Sequence, residues 1–237
     1  MFDTRTPSAA RAYDHLLGGG ASFAADRALA GRLLALYPSL AGTLIASRAM
    51  TADAVARVAA HGVDQYLDLG AGLPTRPATH AVARSEVPAA RVAYVDRDPV
   101  VIEHAADLVP AGVRCQRGDL TEPEALLADL AGVIDFTRPV CLILALILQA
   151  LEPSLARAVV GVLTRALAPG SYLIATAAAD QAGRLPDAVW PSPLTEPDLI
   201  AFFGGLELLA PGVTRQSDVL LAVGVKPLRT SQGAVRG

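Results

Sequence analysis

The chain has 237 residues, 52% of them hydrophobic but only 5% aromatic, and a net charge of -3 at neutral pH. That length suits one α/β domain with an N-terminal extension, and the excess of Ala, Leu and Val supplies a core with few aromatic stacking platforms. Scattered Lys and Arg within a negative balance argue against a nucleic-acid partner, whose phosphates need a basic face.

The first residues are polar, Asp3 among them, with no apolar stretch of the kind that opens a secretory signal. Up to about His61 the pattern is helical: Leu29, Leu33, Leu34 and Leu36 recur at helical spacing, as do Ala54, Val55, Val58 and Ala59. Gly18-Gly19-Gly20 interrupts the first helix and Tyr37-Pro38 stops the second. From Gln65 the rhythm becomes strand, helix, strand, helix. Strands are expected at 65–69, 91–95, 112–116, 139–147 and 171–178, with helices between them at 75–86, 99–108, 122–130 and 153–167. Such alternation implies right-handed crossovers and a doubly wound, mostly parallel sheet.

Val140 to Leu148 is the longest apolar run, well short of the ~20 residues that span a bilayer, and reads as a central strand buried on both faces. After Pro169-Gly170 and a Pro-rich loop (Pro186, Pro191, Pro193) comes a short helix near Pro197. Two strands, 206–210 and 218–225, joined through Pro211-Gly212, are expected to form a hairpin that gives the sheet an antiparallel edge. The expected organisation is a helical lid over 1–61, the main domain over 62–226 and a disordered tail over 227–237. Cys115 and Cys141 lie in apolar, strand-like runs and read as buried reduced thiols of a cytoplasmic protein with no membrane partner.

The most informative stretch is Tyr66-Leu67-Asp68-Leu69-Gly70-Ala71-Gly72, an apolar strand running into an acid and then a glycine pair. Glycines allow a tight strand-to-helix turn that a ligand can approach closely, and open α/β sheets bind nucleotide-like ligands at such turns. A second apolar strand ends in Asp96, whose carboxylate can accept from two ribose hydroxyls. The turn departs from the dinucleotide fingerprint: Thr75 stands where a third glycine is required, and Pro74 removes an N–H that a pyrophosphate would use. Asp68, two residues before Gly70, either caps the turn that follows or serves a ligand, and as a ligand group it suits a cofactor carrying an ammonium and a sulfonium rather than phosphates. S-adenosyl-L-methionine fits these requirements.

Other residues extend this site. Asp96 also reads as a helix cap, but Asp98, next to Pro99, is the better one, which frees Asp96 for the ribose. Arg97 would lie beside the adenine or stand as a solvated arginine. In Gly118-Asp119-Leu120 the acid can accept from the adenine amine, or cap the next helix, and Leu120 can cover the ring edge. The fourth strand ends between Ala145 and Gln149, facing the transferable group. Gln149 is the one polar side chain in that run and, being neutral, suits orienting an acceptor rather than deprotonating it. Tyr13 and His15, in the N-terminal segment, are the remaining catalytic candidates. No metal-ligand cluster stands out.

These residues together resemble an actinobacterial S-adenosylmethionine-dependent methyltransferase family long labelled as being of unknown function. The resemblance spans nearly the whole chain. It includes Ala10-Arg11-Ala12-Tyr13-Asp14-His15-Leu16-Leu17-Gly18-Gly19, then Phe23-Ala24-Ala25-Asp26-Arg27, then Leu67 to Thr75 and Tyr94 to Val101. Ile134 to Val140 and Leu167 to Leu173 complete it. It implies a Rossmann-like class I methyltransferase fold, a mostly parallel seven-stranded sheet with its last strand antiparallel. The chain departs from the family pattern at Gly20-Ala21-Ser22 and at Gln149 to Glu152, both where a substrate would enter.

The expected activity is methyl transfer to a small-molecule acceptor, in secondary metabolism. One rival keeps the cofactor but attacks another of its carbons, by aminocarboxypropyl transfer or cyclisation. A further rival is a degenerate cofactor-binding partner protein.

Overall fold

The computed structural model describes residues 3–179 and 194–228. The Pro-rich loop around Pro186, Pro191 and Pro193, and residues 229–237 of the expected tail, lie outside them. The N-terminal segment forms α1 (Ala9–Leu16), α2 (Ala24–Leu36) and α3 (Leu40–Ala60). The alternating part runs β1 (Gln65–Leu69), α4 (Thr79–Glu86), β2 (Arg91–Asp96), α5 (Pro99–Leu108), β3 (Val113–Arg117), α6 (Pro123–Leu130), β4 (Cys141–Ala145), α7 (Pro153–Ala166) and β5 (Tyr172–Ala178). It closes with α8 (Glu196–Ala201), β6 (Glu207–Leu208), β7 (Thr214–Gln216) and β8 (Val219–Val225).

The sheet order is β3-β2-β1-β4-β5-β8-β6, with β7 also paired to β8. The first five strands are parallel, and β8 runs antiparallel to β5, β6 and β7. The chain moves outward from β1 to β3, then returns to place β4 on the other side of β1. That reversal makes the C-terminal ends of β1 and β4 the switch point, where such sheets bind ligands.

Successive side chains alternate faces, so each strand serves two cores. Leu67, Leu69, Ala93 and Val95 pack with α6, α7 and α8. Tyr66, Val92 and Tyr94 pack with α3 and α4. Asp68 and Asp96 continue this second row and thus end on the α3 side of the sheet. Helix α3 is therefore one of the sheet's covering layers, and the expected division near residue 61 separates it from the core it shares.

Three elements differ from the sequence expectation. The helix expected from 75 starts at Thr79, because Pro74 and Pro77 disfavour helical backbone in the residues before them. β4 ends at Ala145 rather than 147: Leu146 takes a left-handed backbone (φ 55°), and a 3-10 turn at Leu148–Ala150 follows. The expected C-terminal hairpin holds a third short strand, β7, which makes the sheet eight-stranded.

The N-terminal motif has a physical basis. Arg11 is buried, with Nε 3.0 Å from Asp26 and Nη1 3.6 Å from Asp98, and its guanidinium sits 5.2 Å from the Phe23 ring centroid. Asp26, fully buried, also accepts the backbone N–H groups of Ser8 and Phe23, each at 2.8 Å. The Asp14 carboxylate accepts from Ala21 N–H at 3.1 Å, and a Cβ at Gly19 would overlap that carboxylate. The three glycines thus form a turn folded against Asp14, and Arg11 fastens α1 to both α2 and the start of α5.

Arg11→Met should leave Asp26 buried without its cation and cost about 3 kcal/mol or more of stability. Chemical denaturation checks this. Unchanged stability would show that the two backbone donors suffice for Asp26.

Candidate functional site

The C-terminal strand ends, the glycine turn and α1–α3 enclose one cavity of about 670 Å³. Its base is the turn after β1. Gly70 and Gly72 adopt left-handed backbone (φ 66° and 58°), which L side chains resist. Gly70 and Ala71 donate their N–H groups to Val95 O at 2.9 and 3.1 Å. Gly72 N–H donates to the Asp96 carboxylate at 2.9 Å. A Cβ on Gly70 would come within 2.5 Å of Ile147, so the turn and the segment after β4 fit only around a glycine.

Asp68, Gly70, Ala71, Gly72, Asp96, Arg97, Asp119, Leu120, Ala145 and Tyr13 all line this cavity. Asp68 is buried and accepts from the Thr79 hydroxyl at 2.7 Å. Burial pushes its carboxyl up to about 6, against the lowering effects of the Thr79 hydroxyl and of Arg48, while Asp96 adds a smaller upward push. Asp96 is likewise raised by burial, and its second oxygen accepts from Asp98 N–H at 2.9 Å. Each Asp96 oxygen keeps a free lone pair, enough for a diol.

Asp98 caps α5 by accepting from Val100 N–H, as its place before Pro99 suggested. Asp119 does have a local structural role: one oxygen accepts from both the N–H and the hydroxyl of Thr121. The Thr121 N–H, ahead of the nearby arginines Arg97 and Arg117, holds it below the usual carboxylate range. Its other oxygen has no partner among the described residues.

Two sequence candidates stand elsewhere. Gln149 is buried in the 3-10 turn, and its side-chain oxygen accepts from Ala178 N–H at 2.9 Å. It ties the end of β4 to the end of β5 and does not line the cavity, because the early end of β4 at Ala145 turns it into the core. His15, on the last turn of α1, does not line the cavity either. Tyr13 does, with the Arg48 guanidinium 5.1 Å from its ring centroid. Burial raises its phenol above the ordinary value, so it is protonated at neutral pH.

The sequence reading passed over Ser47, Arg48 and Thr51 of α3, which also line the cavity. Ser47 Oγ lies 2.9 Å from the Thr176 hydroxyl on β5. Arg48 donates to Leu73 O at 3.0 Å and Thr75 O at 3.2 Å, bracing the loop after the glycine turn. The available signal was three polar side chains at one-turn spacing within an otherwise Ala- and Leu-rich helix.

A glycine turn at the switch point, flanked by acids ending β1 and β2, defines the class I methyltransferase architecture. The family model described as S-adenosyl methyltransferase matches residues 1–220. Among solved structures, a candidate methyltransferase from Thermobifida fusca is 35% identical with a TM-score of 0.89, the alignment covering 95% of this chain and 97% of that one. A DUF574 family protein from Streptomyces avermitilis is 29% identical, with a TM-score of 0.87 and coverage of 95% and 99%. At 16% identity and a TM-score of 0.55, the N-methyltransferase NodS from Bradyrhizobium japonicum, in complex with S-adenosyl-L-homocysteine, shares the fold over 77% of this chain and 88% of its own. A search of curated proteins returned no match. The chain belongs to the S-adenosyl methyltransferase family, and its cofactor is S-adenosylmethionine.

The residues present fit that cofactor. The raised, buried Asp68 carboxyl lacks a cation in direct contact among the described residues, and an ammonium supplies one. Asp96 offers the acceptors a ribose diol needs.

Two outcomes follow. Because Asp68 is neutral below about pH 6 and an ammonium favours the carboxylate, affinity for S-adenosylmethionine should fall as pH drops through that value, approaching about tenfold per unit. Titration calorimetry between pH 5 and 7 should show this slope in the parent and lose it in Asp68→Asn; a flat parent profile would contradict it. Gln149→Ala should leave Ala178 N–H unpaired and cost about 1–3 kcal/mol of stability. Full stability with impaired turnover would return Gln149 to an acceptor-facing role.

Proposed function

We propose that the protein transfers the methyl group of S-adenosylmethionine to a small, largely apolar acceptor, in secondary metabolism. The observation that carries this reading is the leucine-rich wall beyond the cofactor residues: Leu16, Leu33, Leu40, Leu44 and Leu146, with Ile147, line the same cavity. All but Ile147 belong to the apolar cluster through which α1–α3 pack. An acceptor held there meets hydrocarbon from the N-terminal helices on one side and the β4 end on the other.

The bound cofactor supplies a methyl group already activated on a sulfonium. The chain's contribution is then alignment and exclusion of water. Holding two reactants in line supplies about 7–11 kcal/mol of such a barrier. Asp96 would hold the ribose and Asp68 the ammonium, with the leucine wall beyond them in the same cavity. Helices α1 and α2 cover the reaction from solvent, a lid role for the N-terminal segment.

The described residues offer the acceptor no ready base. Among the described residues the cavity holds no histidine, and its carboxylates are Asp3, Asp68, Asp96, Asp98 and Asp119. Four of these belong to the cofactor-binding strand ends and loops. The fifth, Asp3, is held at about 2 by the Thr6 hydroxyl and by the N–H groups of Arg5 and Thr6. Such a lining suits an acceptor whose nucleophile is already free at working pH, such as a neutral amine or an ionised thiol. Free thiols at Cys115 and Cys141 suit a reducing, cytoplasmic setting.

Mass spectrometry of the spent cofactor tests the reaction type. Incubation with apolar amines and thiols should yield S-adenosylhomocysteine in step with acceptor consumption, and turnover should resist chelators. Methylthioadenosine as the product would instead establish attack on the aminocarboxypropyl carbon.

A further inference from the structure

Helix α3 carries an unsatisfied feature beside Asp68. Arg48 uses both terminal nitrogens on the carbonyls of Leu73 and Thr75, while its Nε–H is buried without a partner. Three residues on, the Thr51 hydroxyl is also buried without a partner. Positions three apart share one helix face, and both residues line the cavity together with Asp68. Buried donors are nearly always paired in folded proteins, so two orphans on one cavity-facing stripe indicate an absent acceptor.

The orphans' surroundings define that acceptor. Arg48 and Thr51 offer one charged and one neutral donor, which a carboxylate accepts well. The guanidinium is fixed on three sides: by the two loop carbonyls and by the Tyr13 ring against its face. Asp68 is the neighbouring anion and calls for a cation. A cationic and an anionic seat side by side match the two charges of an α-amino acid.

We propose that Arg48 and Thr51 bind the carboxylate of the cofactor's methionine end, opposite Asp68, which takes its ammonium. The N-terminal segment is then part of the cofactor site and not only its cover. Cofactor arrival would tie α3, the glycine-turn loop and α1 together through one side chain. This inference rests on the cofactor and is independent of which acceptor the enzyme methylates.

Decarboxylated S-adenosylmethionine keeps the adenosine, sulfonium and ammonium and lacks only the carboxylate, so it isolates the proposed contact. Calorimetric titration of the parent should show S-adenosylmethionine binding about 10- to 100-fold more tightly than the decarboxylated form. Arg48→Met should lose most of that preference by weakening S-adenosylmethionine alone. Thr51→Val, which leaves Arg48 and its loop contacts in place, should narrow the preference about three- to tenfold and decides the matter if Arg48→Met does not fold. A parent that binds both ligands equally overturns the proposal. So does an equal loss for both ligands in Arg48→Met, which would make Arg48 a loop brace, or an unchanged preference in Thr51→Val.

Discussion

The site depends on the close approach of the turn after β1 to the end of β2. Three successive N–H groups, from Gly70, Ala71 and Gly72, are directed at Val95 O and the Asp96 carboxylate. Only left-handed backbone at Gly70 and Gly72 lets the chain reverse that sharply, and Ile147 occupies the space a side chain at Gly70 would need. Asp68 and Asp96 are thereby held on one face of adjacent strands. The turn thus serves first as a bond between two strand ends, and the ligand site is the concavity it leaves.

The arrangement carries an electrostatic cost. Two carboxyls are buried near one another, and both are raised by that burial. Arg48 is the nearby cation that lowers Asp68, yet it spends its terminal nitrogens on the loop. Titratable groups strained in this way gather where a charged ligand completes the balance. By contrast, the Arg11, Asp26 and Asp98 cluster is internally compensated, and its work is to hold the N-terminal helices against α5.

Sequence reading recovered what is written in short-range pattern. The alternating elements, the glycine pair, the two strand-ending acids and the Asp98 cap all follow from spacing within a few residues. It missed what depends on partners distant in the chain. Arg48 meets Leu73 and Thr75, and Ser47 meets Thr176, across separations that carry no local signal. Gln149 was misplaced for a related reason. A continuous apolar run does not reveal where a buried strand ends, and the left-handed Leu146 that redirects the chain is not a residue type that announces such a turn. Gly18 to Gly20 reads in the sequence only as an interruption of the first helix, and the Asp14 carboxylate that the turn folds against gives no sign of it there.

In the proposed site the turn at the β1–β4 switch point, closed by α3, holds S-adenosylmethionine with its charges divided between Asp68 and Arg48. A crystal structure of the complex with S-adenosylhomocysteine measures this directly. The expected density has the ribose on Asp96, the amine on Asp68, and the carboxylate within hydrogen-bond distance of Arg48 Nε and Thr51 Oγ1. An amino-acid end turned away from α3, or adenosine bound elsewhere on the protein, would contradict it.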